Sequence, residues 1–316
     1  MKVLVSDKLS EAGIEMLRAE EGFEVDVKTG LAPEDLKKII PEYDALIIRS
    51  ATQVTADVLE AATNLKVVGR AGIGVDNVDI PAATANGVLV MNAPYGNVIT
   101  TAEHTIAMIL SMSRHIPCGT ASMRAGKWEK KNLQGCEIYQ KTLGVVGYGK
   151  IGSVVADRGK GLRMNVIVAD PVVSPEQIKN DGYEPVSFDE LLRRSDYITF
   201  HVPKLPETAG MVGHEEFKKM KDGVMIVNCA RGGVIQEDAL YDALKSGKIA
   251  AAALDVFVTE PPQAHPLLEF DNFVCTPHLG ASTKEAQDNV ATDIAYQMIR
   301  YFKHNEYINV VNAPKK

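Results

Sequence analysis

At 316 residues the chain is too long for one average domain and long enough for two α/β domains, each burying its own core. Hydrophobic residues at 46% and charged residues at 24% are ordinary globular values and exclude a disordered or low-complexity polymer. A formal net charge of -7 gives no cationic footprint for nucleic acid, no apolar run reaches the length of a membrane span, and the opening MKVLVSDKLS lacks a signal-peptide core.

The first ninety-odd residues alternate short β runs with helical stretches: KVLVS (2–6), EVDVK (24–28), ALIIRS (45–50), LKVVGRAG (65–72) and VLVMN (88–92). Gly30, Pro33, Pro81 and Gly87 punctuate them as turn residues. Strand–helix alternation predicts a doubly wound parallel sheet. The amphipathic stretch ITTAEHTIAMILSMSRHI (99–116) reads as a connecting helix from about Thr100 to His115, ended by Pro117. A second alternating series follows: KTLGVVGYG (141–149), MNVIVAD (164–170), DYITFHVP (196–203), GVMIVNCARG (223–232), IAAAALDVF (249–257) and NFVCTPH (272–278). The last segment, STKEAQDNVATDIAYQMIRYFKHN (282–305), carries Val290, Ile294, Met298, Ile299 and Phe302 at helical spacing and predicts a helix returning to the first domain. The expected fold is α/β with two doubly wound parallel-sheet domains. A Rossmann-type nucleotide domain (97–283) is inserted into a discontinuous, flavodoxin-like substrate domain (1–96 and 284–316). The cysteines, Cys118, Cys136, Cys229 and Cys275, lie far apart with no C-x-x-C pair, so neither a metal site nor a disulfide framework is expected and the cytoplasm is the default compartment.

Gly147-Tyr148-Gly149-Lys150-Ile151-Gly152 matches G-x-G-x-x-G between the apolar run LGVV and the helical stretch SVVADRGKGL. In that context it points to a dinucleotide. Glycines let the backbone turn sharply and approach a pyrophosphate, and the following helix N-terminus offers free N–H donors, with Lys150 and Ile151 nearest the phosphates. A tight turn with no ligand is the ordinary alternative for a lone match. Eighteen residues after Gly152, Asp170 ends the run VIVA, where a carboxylate meets the adenosine ribose hydroxyls and repels the extra phosphate of NADP; Pro171, not Arg, follows. The expected cofactor is NAD. Asp before Pro is also a common turn.

Arg231, Glu260 and His278 each follow a predicted strand, the position at which open α/β sheets bind ligands. The guanidinium fork of Arg231 suits a substrate carboxylate. His278 suits a base that takes a hydroxyl proton as hydride leaves the same carbon, and Glu260 suits a partner that favours the charged imidazole. Each residue has an ordinary structural reading when taken singly: a turn Arg, a solvated Glu, a strand-capping His. Their joint appearance, in this order behind a dinucleotide fingerprint, makes the case.

The runs VVGRAGIGVDNVD (67–79), APYGNVITTAEHT (93–105), GVVGYGKIG (144–152), VNCARGGVI (227–235), AALDVFVTEPP (252–262) and PHLGASTKEAQ (277–287) resemble the D-2-hydroxy-acid dehydrogenase family over nearly the whole chain. RSAT, RAGIGVDNVD and LGASTKEAQ resemble its phosphoglycerate branch more narrowly. The resemblance implies that Arg231 and Glu260 are active-site residues and that His278 is the proton acceptor and donor. It also implies NAD contacts from Ile73, Gly147, Gly149, Lys150, Ile151, Gly152, Asp170, Val202, Cys229, Ala230 and Arg231. Asp255 would face the carboxamide, and His278, Leu279, Gly280 and Ala281 would line the nicotinamide end. Val202 and Ile73 are apolar where some relatives carry Thr, which leaves backbone contacts there. For the substrate, a phosphorylated 2-hydroxy or 2-oxo acid, Arg49 is the expected phosphate ligand because RSAT places it just after a strand. By resemblance, Asn97 and the backbone near Gly74 complete the pocket, with Lys130 or Lys131 reaching in from a partner subunit. The segment MRAGKWEKKNLQG, with the chain's single Trp, Trp128, resembles an intersubunit arm, implying a homodimer or a dimer of dimers. The activity implied is NAD-dependent oxidation of 3-phospho-D-glycerate to 3-phosphohydroxypyruvate, the entry to serine biosynthesis. A reductase of hydroxypyruvate or glyoxylate and, from another class, an NADH-sensing co-repressor are the alternatives. The shared core ends near VNAPKK (311–316), so serine feedback is not expected.

Overall fold

The structure is a computed structural model and describes residues 1–313; the final three residues of the expected flavodoxin-like segment, 314–316, lie outside the described residues. The chain divides into two units, Met1–Asn97 with the stretch from Ser282 onward, and Val98–Ala281.

In the first unit Lys2–Val5 (β1), Glu24–Val27 (β2), Ala45–Ile48 (β3), Val67–Arg70 (β4) and Leu89–Asn92 (β5) form one sheet in the order β2-β1-β3-β4-β5. All four pairings are parallel. Alternate residues of a strand face opposite sides of a sheet. Val3, Val5, Ile47 and Met91 therefore pack on one side with Val290, Ile294 and Met298 of the helix Lys284–His304. Leu4, Leu46, Ile48 and Val68 pack on the other with Val58 and Leu59. Both faces are covered, which is why these strands read as unbroken apolar runs. Gly13 shows how closely the helices meet: a Cβ there would lie 2.6 Å from the Ala291 carbonyl oxygen.

The second unit has seven strands: Thr142–Val146 (β6), Asn165–Ala169 (β7), Glu184–Pro185 (β8), Tyr197–Phe200 (β9), Val224–Asn228 (β10), Ile249–Leu254 (β11) and Phe273–Cys275 (β12). Their order is β12-β11-β10-β9-β6-β7-β8, again all parallel. Chain order reverses direction between β6 and β9, the switch point at which doubly wound sheets open a crevice outside their carboxyl ends. Ala251 and Ala253 of β11 face Met108, Ile109 and Met112, while Ala252 and Leu254 face Leu240, Ala243 and Leu244.

Two details differ from the sequence expectation. The connecting helix runs over Val98–Ser113 and does not reach Pro117; His115 takes a left-handed φ of 50°, and a new helix, Ile116–Arg124, begins with Pro117 in its first turn. There Pro's missing N–H costs nothing. The edge strand β8 was not foreseen, because two residues ending in Pro carry no periodic signal. No helix among the described residues is long and apolar enough to cross a membrane.

Candidate active site

The glycine-rich loop leaves β6 at Gly147, whose φ of 90° and amide bond to the Ala169 carbonyl (2.9 Å) turn the chain sharply. Gly152 sits so tightly over that turn that a Cβ would fall 1.9 Å from the Gly147 oxygen. Gly149 is the opposite case: a Cβ there would meet nothing within 4 Å. Its missing side chain serves no packing in the unit and leaves the N-terminus of the helix Lys150–Gly161 open. That is the cradle a pyrophosphate requires. Lys150 is exposed, with Ile151 and Val202 half-buried.

Asp170 holds the turn in which it stands. One carboxylate oxygen accepts from the Tyr148 amide (2.6 Å), and the other from the amides of Val172 (2.7 Å) and Val173 (2.8 Å). Three donors on about four acceptor positions still leave one for a hydroxyl.

On β10, Asn228 fixes the next three residues. Its side chain accepts from the Ala230 amide (3.0 Å) and donates to the Arg231 carbonyl (2.9 Å). Gly232 then passes so close to the loop after β11 that a Cβ would lie 1.8 Å from the Phe257 oxygen. In that loop the Phe257 amide donates to one oxygen of Glu260 (3.0 Å). The other Glu260 oxygen lies 2.6 Å from Nδ1 of His278. The structure thus brings the Arg231 loop, Glu260 and His278 together along the carboxyl edge of β10, β11 and β12. A carboxylate on Nδ1 fixes the proton there and leaves Nε2 for chemistry. The His278 side chain is 50% exposed, so Nε2 is within reach of a small molecule.

His278 has a φ of 55°, a left-handed conformation that costs an L-residue about 1–2 kcal/mol. Its amide pays for this by bonding the carbonyls of Asp255 and Thr276, both at 3.0 Å. Asp255, 1% exposed, spends its side chain on the same loop. It accepts from the amides of Leu279 (2.7 Å) and Gly280 (2.7 Å) and from the Thr276 hydroxyl (2.5 Å), with His104 Nε2 at 3.3 Å. Burial pushes its carboxyl upward. The bonds from His104, Thr276, Leu279 and Gly280 outweigh that and hold it below the usual carboxylate range. Its bonds to Thr276, Leu279 and Gly280 support for Asp255 the role of holding the loop that presents Leu279, Gly280 and Ala281. Cys229 is buried, and burial, followed by the Asp255 charge, pushes its thiol up to about 12.

The remaining expected residues lie in the first unit. Arg49 follows β3; its amide donates to Asp7 (2.6 Å) and its guanidinium to the Lys8 carbonyl (3.2 Å), with no carboxylate partner among the described residues. Asp7 also accepts from the Thr52 amide (3.1 Å) and hydroxyl (2.7 Å), and Asn77 donates to the Arg49 carbonyl (2.9 Å), so the RSAT loop is held in place. The Ile73 carbonyl accepts from Asn92 (2.6 Å), Gly74 is half-buried, and Asn97 is buried. Lys130, Lys131 and Trp128 are exposed. Sequence reasoning missed Asn228, Thr276, His104 and His201. The last, after β9, has its imidazole held neutral by burial and lies under the glycine loop. Asn228 alone carried a local signal, an Asx residue at a strand end.

With this geometry in place, residues 106–280 match the family model described as D-isomer specific 2-hydroxyacid dehydrogenase, NAD binding domain. The chain belongs to this family. NAD is the cofactor of the domain that matches, as the open cradle at Gly149 and the carboxylate at Asp170 fit. A protein of Archaeoglobus fulgidus named D-3-phosphoglycerate dehydrogenase is 52% identical over 99% of this chain, and the chain spans 60% of that relative's length. The solved TT0316 protein of Thermus thermophilus has a TM-score of 0.91 at 33% identity, covering 98% of this chain and 100% of its own. An NAD-dependent formate dehydrogenase of Staphylococcus aureus, solved with NAD, has a TM-score of 0.88 at 29% identity, with full coverage of both chains.

Gly149→Val separates packing from cofactor binding. The unit has room for the side chain, so the stability loss is limited to about 1 kcal/mol of helix capping. NADH binding, read by fluorescence titration, weakens at least about 10-fold, because the side chain fills the space a phosphate needs. Unchanged affinity would place the cofactor elsewhere.

Proposed function

We propose that the chain catalyses NAD-dependent interconversion of 3-phospho-D-glycerate and 3-phosphohydroxypyruvate, the oxidation that opens serine biosynthesis. The observation that carries the chemistry is the 2.6 Å bond between His278 Nδ1 and Glu260. The substrate assignment is supported by the 52% identity to a relative named D-3-phosphoglycerate dehydrogenase and by the guanidinium of Arg49, held on a fixed loop with no carboxylate partner among the described residues. NAD, when bound, accepts the hydride from the hydroxyl-bearing carbon. Arg231 binds the substrate carboxylate through its planar fork. His278 takes the hydroxyl proton at Nε2 and returns it in the reverse direction, while Glu260 favours the imidazolium so formed. Asp170 meets the adenosine ribose, and Ile73, Val202 and the 229–231 backbone line the cofactor. Arg49, with Asn97 and the backbone at Gly74, holds the phosphate.

The proposed working unit is a dimer. Trp128 is 79% exposed, and Met123 (58%), Tyr139 (57%) and Ile116 (53%) are also exposed in the same unit, large apolar side chains of the kind a second copy would cover. Lys130 or Lys131 would then reach the partner's substrate. All four cysteines are free thiols, which supports a reducing compartment, the cytoplasm.

NADH oxidation followed in parallel on 3-phosphohydroxypyruvate, hydroxypyruvate and glyoxylate tests the assignment. Arg49→Ala removes a charge-assisted bond of roughly 1.5–3 kcal/mol and raises KM for the phosphorylated acid about 10- to 150-fold, with little effect on hydroxypyruvate. Equal losses on both would return Arg49 to a structural role and favour a hydroxypyruvate reductase. His278→Asn lowers kcat roughly 10²- to 10⁴-fold with NADH affinity nearly intact, and Glu260→Gln does less; wild-type turnover in the His278 variant would sink the mechanism. Sedimentation at micromolar concentration gives a dimer or larger, and a monomer there would reject the assembly.

A further inference from the structure

Behind the loop that carries His278 lies a second histidine with no part in the proposed chemistry. His104 sits in the helix Val98–Ser113, its side chain 18% exposed, with Nε2 3.0 Å from the Thr276 hydroxyl and 3.3 Å from Asp255. The donors can be assigned. An ionised carboxylate only accepts, so the Thr276 hydroxyl hydrogen goes to Asp255 (2.5 Å), and its oxygen is left to accept from His104. Nε2 of His104 therefore carries a hydrogen, as it does in both the neutral Nε2–H tautomer and the imidazolium. The result is a directed chain, His104 Nε2–H to Thr276 O–H to Asp255. The last member also holds the amides of Leu279 and Gly280, and its main-chain oxygen accepts from the amide of His278. His104 comes from the helix, Thr276 from the loop after β12 and Asp255 from the residue after β11, so the chain fastens the 276–280 loop to the helix as well as to the end of the sheet.

We propose that His104, acting through Thr276 and Asp255, is a positioning residue that fixes the place of the His278 imidazole. The proposal rests on the reading of His278 as the proton-transfer group. The chain ends on the Asp255 oxygen that also accepts from the Leu279 amide, while the other oxygen accepts from the Gly280 amide, so the relay bears on the loop that carries the left-handed turn at His278. Loss of the relay should let the loop shift by a fraction of an ångström to an ångström, enough to misalign a reacting group while the fold persists. Charge on His104 is not required, only a donor at that place.

Paired substitutions test this. Thr276→Val removes the hydroxyl at nearly constant shape, Thr276→Ser keeps it, His104→Leu removes the donor, and His104→Gln offers an amide donor in its place. Hydrogen exchange of peptides spanning 276–281, measured by mass spectrometry, should accelerate at least about 10-fold in T276V and H104L and return toward wild type in T276S and H104Q. With 3-phosphohydroxypyruvate, kcat should fall on the order of 10- to 100-fold in the first two variants with KM and NADH affinity changing by less than about 3-fold, and should largely recover in the second two. A merely structural role would lower the melting temperature in all four variants without separating kcat from KM. Wild-type exchange and turnover in T276V, or equal losses in T276V and T276S, would overturn the proposal. If the wild-type protein reduces none of the acids, the functional reading fails, and the exchange measurement still decides whether the relay holds the loop.

Discussion

Both sheets are parallel and covered on both faces, and this governs where chemistry can occur. A strand buried on two sides has no place for a titratable group that must meet solvent, and β6, β9 and β10 are almost wholly buried. Polar work is confined to the carboxyl edge, where the backbone leaves the ladder and side chains can turn outward. Asn228, Asp255 and Thr276 stand at three successive steps along that edge, and each converts the end of a strand into a fixed loop. Asn228 and Asp255 accomplish this from inside the protein, at 2% and 1% exposure, where an unsatisfied polar group would be costly. Their positions are therefore rigid, and the more exposed Arg231 and His278 inherit that rigidity.

Glycine has two opposite uses around this edge. At Gly152 and Gly232 the absent side chain lets two backbones of the unit touch, and any larger residue would force them apart. At Gly149 the absent side chain leaves room for something the chain itself does not supply. Proximity alone does not distinguish a structural glycine from a ligand glycine in a motif, but the direction in which the missing Cβ would point does.

Much of this was legible in the sequence because the signals are local. Apolar runs bounded by Gly and Pro gave the long strands, and Asp170, Arg231, Glu260 and His278 lie in the segments that follow those strands, as expected. The break at Ser113 was not legible, since Arg114 and His115 carry no breaker signal although His115 takes a left-handed turn. His104 was hidden for a different reason: its partner Thr276 is 172 residues away in the chain, and a lone histidine on an amphipathic helix looks like any half-buried core residue. Asp255 gave the sharpest contrast. A place facing the carboxamide was what the resemblance implied, while its bonds to 276, 279 and 280 and the approach of His104 could only be seen once those residues had been brought together.

Cys229 lies two residues before Arg231, where a reactive thiol would be a liability. Burial and the neighbouring Asp255 charge push its pKa up to about 12, so at neutral pH it stays in the thiol form rather than the thiolate that alkylating agents and peroxides attack. Oxidants meet the exposed Cys275 first. The Arg231 loop is thereby insulated from oxidation at Cys229, and a thiol reagent would mark the exposed Cys275 in its place.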